Sequence, residues 1–255
     1  MKRSSRAAGA SGYLLRMAGP ERTPILNHQL ACLLALVAGV LNSVGFVAVA
    51  FYTSHMTGVT ALIADQIVVG EWYIVAVGVL SVVSFVAGAM TCAIVFNWGR
   101  RRELRSRYAN VLLLEGALML VFGLLAEELT GDGRELVFVP VLCFTMGLQN
   151  AVITKISGAR IRTTHVTGMV TDIGIELGKL FYRNRHPEMD RVRGNRRQIA
   201  LHCMLISLFI VGGVIGATGY LSIGFAILVP GALLLLIVSY QPLLADLGAR
   251  AEGLL

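Results

Sequence analysis

Two copies of one polar pattern stand out in an otherwise apolar chain. Residues 53–58 read Thr-Ser-His-Met-Thr-Gly, and residues 163–168 read Thr-Thr-His-Val-Thr-Gly. Histidine titrates near physiological pH, so His55 and His165 are suited to binding a solute or passing a proton. Threonine hydroxyls accept from the free backbone N–H groups of a helix start. N-caps are therefore predicted at Thr57 and Thr167, or at Thr53 and Thr163. Gly58 and Gly168 permit close backbone approach. An asparagine precedes each copy, Asn42 in AGVLNSVGF and Asn150 in MGLQNAVIT. The candidate ligand-binding set is Thr53, His55, Thr57, Gly58, Asn150, Thr163, His165, Thr167 and Gly168. The plainer reading of the same residues is a capped turn, with histidine bonded to backbone and Asn42 bridging helices.

Acids inside apolar segments are costly and mark function by default. Glu115, Asp65 and Asp172 are therefore the candidates for charge or proton handling. Asp172, Glu176 and Lys179 also fall at i, i+4 and i+7, the spacing of a salt-bridged, solvated helix face. Cys32, Cys92, Cys143 and Cys203 are widely spaced within apolar stretches and make no CxxC or Cys/His cluster. They read as small apolar side chains. No metal or cofactor is expected, and no P-loop, Rossmann, HExxH or GxSxG pattern supports soluble-type catalysis.

The elements holding these residues belong in a bilayer. The 255 residues are 56% hydrophobic with mean hydropathy +0.72 and only 15% charged, against ~25% charge in soluble domains. This excludes a secreted disulfide scaffold, a disordered chain and a sizeable extramembrane domain. Six segments, at 28–52, 72–97, 109–127, 135–154, 199–221 and 223–240, are long enough to span. Pro140 and Pro230 are expected to kink their spans. Two shorter segments, 57–70 and 166–181, reach only about 20–24 Å against ~30 Å of hydrocarbon. They read as half-helices or re-entrant elements.

Charge fixes the topology. The net charge of +7 suggests nucleic acid at first sight, but the basic residues lie in loops beside apolar spans, as the positive-inside rule expects. With six crossings and both termini cytoplasmic, Arg100, Arg101, Arg102, Arg105 and Arg107 lie inside. Lys155, Arg160, Arg162 and the arginines of loop 182–198 join them. The acidic stretch Glu127-Glu128-Leu129-Thr130-Gly131-Asp132 lies outside, with Arg134 the one basic exception. Letting the short segments cross would put the Arg100–Arg107 run outside.

Further landmarks recur in order: Phe85 and Gly88 echo Phe209 and Gly212, and Glu115-Gly116-Ala117-Leu118 echoes Pro230-Gly231-Ala232-Leu233. Each repeat reads as span, short helix, span, span. Three crossings are odd, so the halves must be inverted, an arrangement of secondary transporters and some channels. The expected fold is an all-α membrane protein, with six transmembrane helices plus two re-entrant helices in two inverted three-span repeats. Its parts are a basic cytoplasmic tail (1–27), membrane repeats at 28–127 and 135–240, and a short cytoplasmic tail (241–255).

At these segments the chain resembles the YoaK family of six-span bacterial membrane proteins, a family named as a domain of unknown function. The resemblance rests on AGVLNSVGF followed by SHMTG, and on MGLQNA followed by IRTTHVTGMVTDIG. It covers roughly residues 30–240. The family often has aspartate where this chain has Asn42, and asparagine where it has Val59, so any ion or proton role of those groups in relatives does not transfer here. The resemblance implies a fold and a location but no activity.

The residues themselves point to a transporter or channel for a small polar or anionic solute, with its site between the repeats, and the resemblance implies that it lies in the bacterial inner membrane. Lipid is the expected surrounding, nucleic acid is not a partner, and homo-oligomerisation is left open. The rivals are a membrane scaffold whose basic loops bind anionic lipid or a partner, and a membrane-embedded enzyme using histidine and acids. The enzyme is the weakest of the three because no nucleophile–base spacing is visible.

Overall fold

The computed structural model describes residues 17–19, 23–129, 131, 133–157, 163–185, 188 and 190–251. Most of the basic N-terminal tail, Thr130 and Asp132 of the acidic loop, and Arg160 and Arg162 lie outside these residues. The described residues form eight α-helices: α1 (Pro24–Val49), α2 (Met56–Val69), α3 (Trp72–Arg101), α4 (Ala109–Leu125), α5 (Glu135–Ser157), α6 (Val166–Phe181), α7 (Arg196–Ile223) and α8 (Leu228–Ala251). Short 3-10 turns follow α4 (Ala126–Glu128) and α7 (Gly224–Ile227).

Five stretches are long and apolar enough to cross a membrane. Four are α1, α3, α5 and α4 with its 3-10 turn. The fifth runs Arg196–Gly248, 53 residues. At 1.5 Å per residue that is ~80 Å, far more than one bilayer. The stretch is broken at Gly224, whose φ is 60°. Its two arms then pack on different partners, α7 on α1 and α8 on α4. Pro230 is the third residue of α8, in a first turn whose N–H groups need no helical partner, so it does not kink that span as expected. Pro242 lies in the interior of α8 instead, and the helix continues past residue 240 to Ala251. The C-terminal stretch is thus largely a continuation of α8.

Local chemistry sets the helix starts. Thr23 caps α1, its hydroxyl accepting from the Leu26 N–H at 3.3 Å, with Pro24 at the first helical position. Asn195 caps α7, accepting from the Gln198 N–H at 3.2 Å. Asp246 of α8 accepts from the Arg105 and Ser106 N–H groups at 3.0 and 2.8 Å, fixing the turn before α4.

Close contacts give the helix directions. Gly88 lies on the Phe144 carbonyl and Gly147 on the Phe85 carbonyl. The Tyr73 hydroxyl donates to Glu135 at one end of this pair, and Lys155 lies over the Phe96 ring at the other, so α3 and α5 run parallel. Gly212 lies on the Leu36 carbonyl and Gly216 on that of Val40, so α1 and α7 are likewise parallel. By contrast α1 and α5 are antiparallel: Gly45 is level with Leu142, and the buried Gln149 amide donates to the Leu34 carbonyl at 2.6 Å. Gly116 against Ala232 and Gly123 against Phe225 make α4 and α8 antiparallel too. Small residues at such crossings let helices approach where no hydrophobic drive exists between them.

It follows that α1, α4 and α7 begin, and α3, α5 and α6 end, at the same end of the bundle. That end carries Arg100, Arg101, Arg102, Arg105, Arg107, Lys155, Arg196 and Arg197, and the opposite end carries Glu71, Glu127, Glu128 and Glu135 with Arg134. The core sits around α1 and α5. The outer face of α3, by contrast, exposes Val79, Val83, Val86, Met90 and Ile94, the apolar surface that lipid tails require.

Candidate functional site

After α1 the chain reverses at Ala50 (φ 54°, left-handed) and runs back beside the helix it has just left. Asn42, two turns inside α1, receives it. The Ser54 N–H and hydroxyl both donate to Asn42 Oδ1, at 3.2 and 2.8 Å. From there α2 sets out along α3, with Ile63 against Gly78 and Met56 in one apolar cluster with Val82 and Phe85. Its 14 residues, ~21 Å long, thus begin alongside the middle of α3 and end at its start. The second motif repeats this. The Thr164 hydroxyl donates to Asn150 Oδ1 at 2.5 Å, and α6 runs along α7 with Asp172 opposite His202. Ser54 and Thr164, which are not in the candidate set, are the residues that the two asparagines hold.

The first turns match in backbone, although His55 turns its Cδ2–Nε2 edge and His165 its Nδ1–Cε1 edge toward the glycine. His55 and His165 occupy the N-cap positions, with backbone angles of −94°, 63° and −83°, 60°. Neither side chain caps its helix, and the expected threonine caps are not formed. Thr57 and Thr167 instead stand exposed in the first turn. Thr53 and Thr163 come too early to cap, because the helix cannot start before the chain has cleared the asparagine. Each imidazole folds back over the glycine three residues on. A Cβ on Gly58 would meet His55 at 2.1 Å, and one on Gly168 would meet His165 at 2.1 Å. Glycine is required there to seat the ring. Thr53 and Thr163 are fully buried, and neither hydroxyl has a hydrogen-bond partner. Among the described residues no hydrogen bond joins one motif to the other; each is gathered onto its own asparagine.

The acids separate. Glu115 is fully buried in α4 with no partner for either oxygen. Asp65 is exposed on α2. Asp172 lies 4.0 Å from His202 Nδ1, so it does not complete a face with Glu176 and Lys179. Glu176 itself pairs with Lys179 at 2.6 Å and accepts from the Asn195 N–H at 2.6 Å. The Lys179 ammonium, followed by that backbone bond, holds the Glu176 carboxyl below its usual range.

Two cavities open at opposite ends of the bundle. One, of about 510 Å³, lies among the end of α1 and the starts of α3 and α5, with Tyr73, Arg134 and Glu135 as its polar wall. The other, of about 500 Å³, lies among the end of α5 and the starts of α7 and α1. These are the same places under exchange of α1 with α5 and α3 with α7. Sequence reading missed both cavities, together with Gln149 and His202. The signal available for the helix crossings was Gly39-x-x-Asn42 recurring as Gly147-x-x-Asn150. A lone histidine in an apolar span gave none for His202. Among the described residues no group of three or more potential metal ligands gathers.

Comparison with known proteins agrees on the family alone. No curated protein and no solved structure matches the chain. The model of the family described as "Protein of unknown function (DUF1275)" matches residues 30–240, which is most of the chain. The chain therefore belongs to this family, the YoaK family whose likeness its two Thr-x-His-x-Thr-Gly motifs carry.

Proposed function

We propose that this protein moves a small polar or anionic solute across the bacterial inner membrane. It does so as two inverted three-span repeats with six crossings and both termini cytoplasmic. Antiparallel pairing of the equivalent helices, α1 with α5 and α4 with α8, supports the inversion. Segregation of the arginine-bearing loops to one end supports the orientation.

The single observation that carries the reading is the matched pair of half-helix starts. Each begins beside the midpoint of a long helix and holds a buried threonine hydroxyl without a partner. Irregular backbone at membrane depth is tolerated where it is buried or lines a water-filled path. Helix N-termini supply free donors and partial positive charge there. Thr53, His55, Thr57, Gly58, Thr163, His165, Thr167 and Gly168 form the solute path, Asn42 and Asn150 fix it, and Glu115, Asp65 and Asp172 carry charge or protons. We assign no catalytic residue.

A thermal-shift panel of small anions, amino acids and cations, run on detergent-solubilised protein, tests this. A ligand of the folded state at ~100 Kd raises stability by about 2.7 kcal/mol. A shift in the parent that disappears in the His55→Ala/His165→Ala variant supports the site. A shift that survives in the variant contradicts it.

A further inference from the structure

At the basic end of the bundle, the cavity of about 500 Å³ is walled by Asn27 and His28 from α1 and by Asn195, Arg197, Gln198 and His202 from α7. No carboxylate is among its lining residues. His202 is 5% exposed, and its Nδ1 has no hydrogen-bond partner. Asn27 Oδ1 is likewise buried without one, an acceptor that suits a donor group on the rest of the bound molecule and not its oxyanion. Polar groups in such a position are usually satisfied by a ligand or ordered water. The cavity also receives the N-terminus of the 28-residue helix α7, with its partial positive charge. Arg197 adds a permanent charge in a planar fork that matches tetrahedral oxyanions, and this argues against a cation as occupant. The cavity at the opposite end differs, because Glu135 lines it and accepts from Tyr73. Anion selectivity therefore belongs to the basic end.

We propose that this cavity binds a small molecule through an oxyanion group of the phosphate or sulfate type, held by Arg197 and His202 over the start of α7. Its size is that of a small-metabolite pocket. The site is separate from the repeated motifs and stands whether or not they carry solute. The charged and titratable groups facing His202 are Asp172 from α6, His28 from α1 and Arg197 on its own helix.

The test is calorimetric titration of the detergent-solubilised full chain with inorganic sulfate and with inorganic phosphate. Saturable sulfate binding is expected, weaker by about tenfold or more in Arg197→Gln and in His202→Gln. Arg197 is exposed, so its variant carries the test if the buried His202 variant fails to fold. A second arm compares thermal midpoints in phosphatidylglycerol and phosphatidylcholine nanodiscs. A phosphatidylglycerol effect lost in Arg197→Gln, with no binding of free ions, makes a lipid headgroup the source of the same oxyanion. Ion binding and lipid effects that are both unchanged by the two substitutions, or both absent from the parent, overturn the proposal.

Discussion

A Cβ on Gly39 would lie 2.1 Å from the carbonyl oxygen of Phe209, so α1 and α7 cross with backbone against backbone. A Cβ on Gly147 would likewise lie 2.0 Å from the Phe85 carbonyl oxygen at the equivalent crossing of α3 and α5. The obstacle in each case is main chain, which cannot swing aside. Gly39→Ala and Gly147→Ala should each cost about 1–3 kcal/mol or more through overpacking. Gly174→Ala, with nothing within 4 Å of the added carbon, should be neutral or slightly stabilising, since alanine is the better helix former. Thermal midpoints of the three purified variants check this. Equal midpoints would show that the crossings are looser than described.

At Gly58 and Gly168 the obstacle is a side chain, and the outcome differs. An added methyl collides with the imidazole of His55 or His165, which can rotate away. Gly58→Ala and Gly168→Ala should therefore leave the folded yield intact while abolishing any ligand-induced shift that depends on the histidines. Retention of that shift in both variants would separate the histidines from the site.

Asp246 ties the end of α8 to the turn before α4 with two backbone bonds at 3.0 and 2.8 Å, and is 5% exposed. Asp246→Ala leaves two N–H groups without their acceptor. Hydrogen bonds to charged groups contribute about 1.5–3 kcal/mol each, so a loss of at least about 2 kcal/mol is expected. A midpoint within error of the parent would count against this link as a structural tie.

Glu176 supplies a pH dependence whose sign follows from its depressed folded value. A carboxyl that ionises more easily when folded stabilises the protein above its unfolded value of about 4.3. That stabilisation disappears as pH falls through the lower folded value. The midpoint difference between the parent and Glu176→Gln should therefore be constant from about pH 7 to 5 and shrink below about 4.3. A difference that grows in acid would reverse the assignment.

Much of the local structure was legible because it depends on local pattern. The short segments expected at 57–70 and 166–181 are observed as Met56–Val69 and Val166–Phe181, since apolar runs bounded by glycine or polar residues end where their pattern ends. The motif repeat was visible in the residues themselves. The threonine caps failed because the position of a helix start is set by Asn42 holding Ser54 and Asn150 holding Thr164. These contacts span 12 and 14 residues and carry no local signature. The burial of Gln149 and the cavity around His202 were invisible for the same reason. Each depends on which face of a uniformly apolar helix meets a partner. The end of α8, expected at 240, lies at Ala251 because the helix continues through Pro242 and Asp246 ties it to the turn before α4.

The central claim, that both half-helix starts face one aqueous path, is tested most directly by thiol accessibility. Thr57→Cys and Thr167→Cys are placed singly in a chain with its four native cysteines replaced by serine, and a membrane-impermeant reagent is applied from each side in turn. Both positions should react, more slowly than a loop cysteine, and a bound solute should protect both. Reaction of each from one face alone, at the rate of a free loop and without protection, would contradict it.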